Sequence, residues 1–188
     1  MNAIDDPVST LTEVERARAR TRASLNSVWY PLVLFGAASL GAAAVAALDV
    51  KWTGVYWLLA YGACFLAVRR YAVARASRIG VGELDSRGVR LWLAFPLVLI
   101  VAGTVAGTAG GVRGLVMANG VVVGAWYLLV ARWAGSALMA VLGIAVILVT
   151  AVLAAVIDAD NLIAVANLAI GAVLLAGGLY ARGSDENP

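Results

Sequence analysis

The sequence predicts an all-α membrane protein: a polytopic bundle of six transmembrane helices with short loops, preceded by a short amphipathic, basic N-terminal helix. Three observations predict it. The 188 residues are 63% hydrophobic and only 13% charged, whereas soluble domains are just under half apolar and about a quarter charged. The charged residues gather in a few clusters, and these divide the chain into apolar stretches of about 20 residues. That is the length a helix needs to cross ~30 Å of hydrocarbon at ~1.5 Å per residue. Finally, the arginines fall after alternate stretches, as they do when a chain weaves through a bilayer.

Residues 1–27 form a polar flank, expected on the cytoplasmic side. Thr10 with Glu13, and Thr12 with Glu15, have capping-box spacing. Acidic residues in the first turn and Arg16, Arg18, Arg20 and Arg22 behind them suit the helix dipole. With a thin apolar face of Leu11, Val14, Ala17 and Leu25, this segment reads as an interfacial helix drawn to anionic lipid. The simpler reading is a solvated positive flank that orients the first span.

The transmembrane domain is expected over 28–182, with spans at 28–48, 54–73, 90–108, 115–131, 136–157 and 162–180. Trp29 and Tyr30 open the first span at the depth where amphipathic rings favour the interface. Pro31 follows, in a turn whose N–H groups have no helical partner in any case. Asp49 and Lys51 break the chain before the second span, which ends at Arg69, Arg70 and Tyr71. A long loop is expected from Ala74 to Val89, with Arg75 and Arg78 in it. Gly80 and Gly82 there do not make a nucleotide-binding loop, because no strand precedes them. Arg113 marks a short turn between spans three and four, and a re-entrant hairpin is the alternative for that pair. Arg132 closes the fourth span, Asp158 to Asn161 break the chain after the fifth, and Arg182 closes the sixth. The tail 183–188 is polar and acidic.

Of the fourteen basic residues, twelve fall on one side of this layout, and only Lys51 and Arg113 fall on the other. The positive-inside rule then places both termini in the cytoplasm. Asp49, Asp158 and Asp160 lie at the outer mouth. The preponderance of Arg, Ala, Gly and Val is that of a GC-rich bacterial genome, so the expected location is the bacterial inner membrane. In style the whole chain resembles small multi-pass membrane proteins of such bacteria, through its Arg-rich flank and its Ala/Val/Gly spans closed by arginine. That resemblance carries no functional motif.

Lipid is as apolar as leucine, so close packing over small residues must hold the helices together. Gly103, Gly107 and Gly111 on span three and Gly120 and Gly124 on span four have four-residue spacing. They are expected either to pack against each other within the chain or to form a homo-oligomer face. Thr104, Asn119, Thr150 and Asn167 place one polar group in each of spans three to six, about 6 to 11 Å from the outer ends. Tyr56 and Tyr61 can reach the same layer from span two. Two readings of it compete: an outward-opening polar cavity, or hydrogen bonds that bridge neighbouring helices.

Some chemistries are closed to this chain. It has no histidine and only one cysteine, Cys64, which removes the commonest general base and the usual zinc and haem ligands. No carboxylate lies in the middle of a span. No catalytic residue, metal, cofactor or nucleic-acid partner is therefore expected. A structural or regulatory membrane component, working through a cytoplasmic partner, is the reading that remains by elimination. A small transporter or channel subunit for a neutral solute is the alternative, and a membrane enzyme on a lipid or isoprenoid is a weaker third.

Overall fold

A computed structural model of the chain describes residues 28–79 and 86–186. The expected N-terminal helix, with Arg16, Arg18, Arg20 and Arg22, lies outside these residues, as does the side chain of Arg78. Among the described residues the fold is all-helical. Helix α1 is Trp29–Leu48, α2 is Thr53–Ile79, α3 is Ser86–Ala134, α4 is Ala137–Val156 and α5 is Ala159–Glu186.

The connections are short because side chains at the breaks stop one helix and start the next. Asp49 takes an extended backbone, and its N–H caps α1 on Val45 O at 2.9 Å. Its carboxylate accepts from Lys51 N at 3.0 Å, which closes a single 3-10 turn, Val50–Trp52, ahead of α2. Between α3 and α4, Gly135 adopts φ +65°, the left-handed conformation that suits glycine. Ser136 N–H then returns to Ala131 O at 3.1 Å, a Schellman closure. The Ser136 hydroxyl in turn accepts from Met139 N at 3.4 Å and caps α4.

Two expected boundaries are corrected. Helix α2 runs on through Arg69, Arg70 and Arg75 to Ile79, and α3 begins at Ser86. Residues 74–79 and 86–89 of the expected loop from Ala74 to Val89 are therefore helical. Arginine interrupts hydropathy but is a good helix former, so the helix outlasts its apolar stretch. The second correction is at α5, which begins at Ala159, so Asp160 and Asn161 belong to its first turn and only Ile157–Asp158 break the helical run.

Helix α3 has 49 residues and non-helical dihedrals at Gly111, φ 60° and ψ −149°. The chain folds back there. A Cβ placed on Gly103 would lie 3.0 Å from both Leu115 Cδ1 and Asn119 Oδ1, and one on Gly114 would collide with Ala106 O. On a straight helix residues 103 and 119 would stand ~24 Å apart. The element is therefore two antiparallel limbs, here called α3a (86–110) and α3b (112–134).

Among the described residues four segments are long and apolar enough to cross a membrane: Trp29–Leu48, Ala94–Ala134, Ala137–Val156 and Ala159–Ser184. Large apolar side chains remain exposed along α2, α3a and α4, among them Leu58, Leu59, Leu97, Ile100, Val105, Ile144 and Leu148. A surface of that kind is unsuited to water. These are the helices of a membrane protein.

Packing is closest between α1 and α5 and between α3b and α4, while α4 against α5 joins the two pairs. Glycine permits both tight approaches. A Cβ on Gly36 would lie 2.9 Å from Leu175 N, and one on Gly143 would lie 2.7 Å from Gly124 O. One core cluster gathers Leu32, Phe35, Cys64, Met139, Leu142, Val146 and Leu174. A second lies towards the aspartate-bearing end and gathers Val116, Ala154, Leu162 and Ala166. Helix α2 lies antiparallel to α1 on the outside of the bundle, with Tyr56 near Ala38 and Tyr71 stacked on Tyr30.

Candidate functional site

The polar residues of the spans fall into separate helix contacts. At the first turn of α2, the Tyr56 hydroxyl donates to Ala38 O of α1 at 2.8 Å, and its ring fits where Gly41 has no side chain. One residue on, Trp57 Nε1 donates to Asn167 Oδ1 of α5 at 3.3 Å, while Asn167 Nδ2 donates to Ile163 O at 2.8 Å. Asn167 thus ties α2 to α5 and uses both ends of its amide. Thr150 is 1% exposed and donates to Val146 O in its own helix at 2.8 Å, with its side chain seated on Gly120. Back-bonding of this kind satisfies a buried hydroxyl without a second helix.

Asn119 lies across the α3a–α3b fold, and its Oδ1 is buried with no hydrogen-bond partner among the described residues. Thr104 is exposed on α3a, away from the other members. Tyr61 sits between Phe35 (ring centroids 6.0 Å) and Phe95 (6.3 Å), and Phe95 reaches Trp126 at 4.9 Å. The row Phe35, Tyr61, Phe95 and Trp126 joins α1, α2, α3a and α3b through the middle of the bundle. Asn119 and Asn167 therefore engage different neighbours. Asp49, Asp158 and Asp160 are exposed at the same end of the bundle, and Asp49 serves the turn described above.

The five glycines expected to form one seam divide into three roles. Gly103 and Gly107 face α3b, through Asn119 and Leu115; Gly120 and Gly124 face α4; and Gly111 is the fold-back itself. Adjacent limbs share a tight turn, but the smallest surface of α3b is given to α4.

The opposite, arginine-rich end holds the other candidate site. Tyr30 and Tyr71 stack with centroids 4.3 Å apart, and Trp29 meets both rings edge-on. Arg75 Nη1 donates to the Tyr71 hydroxyl at 2.8 Å, and the Arg182 guanidinium lies 5.4 Å from the Trp29 ring, within cation–π range. Beside this cluster an open groove of about 540 Å³ runs along α2, lined by Ala63, Leu66, Ala67, Arg70, Tyr71 and Ala74 and walled by Tyr30. Arg69 and Arg70 are exposed and make no hydrogen bond or ion pair with the described residues, whereas Arg75 is engaged by Tyr71.

Sequence reasoning placed Arg70 at a headgroup but missed the groove. The signal was there in the spacing: Ala63, Ala67, Arg70 and Ala74 recur every three or four residues and so fall on one face of a helix. Alanines on such a face leave a trough.

Among the described residues no three His, Cys, Asp or Glu side chains gather to hold a metal ion. Cys64 is buried in the larger core cluster. No known family, characterised protein or solved structure matches the chain.

Proposed function

We propose that the chain crosses the membrane six times, with both termini cytoplasmic, and serves as a structural or regulatory membrane component that acts through a partner. The fold-back at Gly111 supports the count. It turns the long segment into two limbs of about 25 and 23 residues, each able to span ~30 Å, which weighs against a re-entrant hairpin. Helix α2 has 27 residues and runs beside α1 from the aspartate end to the arginine end, which adds the sixth crossing. Arg69, Arg70, Arg75, Arg132 and Arg182 then share one side and Lys51 and Arg113 the other, a distribution that favours a cytoplasmic arginine end.

Sidedness is testable in a Cys64→Ala background. Lys51→Cys and Asp160→Cys are expected to react with a membrane-impermeant maleimide added to intact cells, and Ser184→Cys only after lysis. Labelling of Ser184→Cys in intact cells would reverse or remove a crossing.

The observation that carries the functional reading is the use made of the polar layer. Tyr56 and Trp57 spend their hydrogen bonds across helices, on Ala38 O and on Asn167, as helix glue does, and Thr150 spends its own on its helix backbone. Interhelical bonds of this kind contribute about 0.6 kcal/mol each on average. A solute path, the second reading, would need these groups turned to a common passage. In liposomes of full-length protein, Asn119→Leu with Asn167→Leu is expected to leave flux of small neutral solutes at the protein-free level, as the wild type does. Wild-type flux that the double substitution abolishes would establish the transport reading instead.

A further inference from the structure

We propose that the groove between Tyr30 and helix α2 is a seat for one anionic phospholipid, with an acyl chain along Leu66 and Ala67 and the headgroup on Arg70. The proposal rests on α2 crossing the membrane, but not on which side the arginines face.

Three observations carry it. The groove is lined by Ala63, Leu66 and Ala67, with a cation, Arg70, one turn further on. From Ala63 to Arg70 it covers ~10 Å along the helix, which is room for the part of a lipid tail nearest its headgroup within one leaflet of a ~30 Å hydrocarbon core. Its flank is exposed, with Leu66 56% accessible, so a lipid can enter sideways from the bilayer.

The charge at its end is free to act. Arg75 is held by the Tyr71 hydroxyl, whereas Arg69 and Arg70 have no partner among the described residues. The acidic side chains described, Asp49, Asp158 and Asp160, stand at the far end of the bundle. A guanidinium can bind an anionic phosphate in bidentate fashion. The wall is also rigid, since Tyr30 is stacked on Tyr71 and braced by Trp29. A preformed wall lowers the ordering cost of holding a flexible chain.

The test is native mass spectrometry of the full-length protein released from nanodiscs that contain equal amounts of phosphatidylglycerol and phosphatidylcholine. The wild type is expected to retain one phosphatidylglycerol in preference to phosphatidylcholine. Arg70→Gln should reduce that preference about five-fold, the ~1 kcal/mol of one arginine at an anionic surface. Leu66→Trp, which fills the trough without touching the charge, should reduce retention of both lipids. Equal retention of the two lipids by the wild type would overturn the proposal, and so would phosphatidylglycerol retention unchanged in both variants. A lipid-free dimer that Leu66→Trp dissociates would overturn it in favour of a second copy on this face. The wild-type comparison stands even if a variant fails to fold. The maleimide labelling tests the crossing of α2 separately.

Discussion

Gly36→Ala is expected to destabilise the protein, and Gly62→Ala to stabilise it, although both glycines lie inside long apolar helices. In a helix interior alanine ordinarily gains roughly 0.5–1 kcal/mol over glycine, because glycine loses more backbone freedom on folding. Gly62 on α2 has nothing within 4 Å of the position a Cβ would take, so it should show that ordinary gain. At Gly36 the new methyl would lie 2.9 Å from Leu175 N and 3.1 Å from Gly171 O. Those are backbone atoms of α5 and cannot rotate away, so the helices must separate. Overpacking of this kind costs typically ~1–3 kcal/mol, which reverses the sign. Gly36→Leu, with a whole side chain in the α1–α5 seam, should prevent folding. The reciprocal pair in α3b and α4, Gly124 and Gly143, should respond as Gly36 does, since each Cβ would meet the other residue's carbonyl. The measurement is the midpoint of unfolding in mixed micelles titrated with sodium dodecyl sulfate, followed by tryptophan fluorescence. Gly36→Ala at or above the wild-type midpoint would mean that the two helices do not meet as closely as described.

The contrast between Gly36 and Gly62 shows which parts of this fold the sequence could disclose. Breaks between helices were legible at Asp49, Ser136 and Asp158, because a polar group at a helix end has a local job that its residue type announces. The C-terminal end of α2 and the starts of α3 and α5 were misplaced because hydropathy marks where lipid ends, and Arg69 to Ile79 remain helical beyond that point. The facing of side chains was the least legible. In a soluble helix the apolar stripe points inward. Here both the lipid side and the protein side are apolar, and periodicity loses its meaning. Thr104 and Thr150 look alike in the chain, yet one is exposed and the other is 1% accessible against Gly120. Asn119 and Asn167 look like members of one layer, yet one lies on the α3 fold and the other on Trp57. The alanine spacing in α2 announces the trough beside Tyr30 but not its second wall, which α1 supplies.

Substitution of Gly111 should have an equally large and more specific effect. Its φ of 60° with ψ of −149° lies in a region essentially reserved for glycine, where another residue carries a strain of order 1–3 kcal/mol. A Cβ there would meet no neighbour, so the strain is purely conformational, and a β-branched residue carries the most. Gly111→Ala should therefore lower stability by roughly that amount, and Gly111→Val by more. The chain cannot relieve the strain by straightening α3. A continuous helix over Ala94–Ala134 has 41 residues and would be ~61 Å long, about twice the hydrocarbon thickness. Straightening would also carry Arg132 and Arg182 to the side of Lys51 and Arg113, against the charge asymmetry that sets orientation. The expected outcome is a loss of folded yield with sidedness kept. A green fluorescent protein fused after Pro188, which fluoresces only in the cytoplasm, should dim in proportion to the membrane-embedded protein. Protease added to intact cells should still leave that fusion uncut. A Gly111→Val chain that accumulates normally but exposes its C-terminal fusion to external protease would show that the fold-back is a choice between two topologies rather than the only one this sequence can adopt.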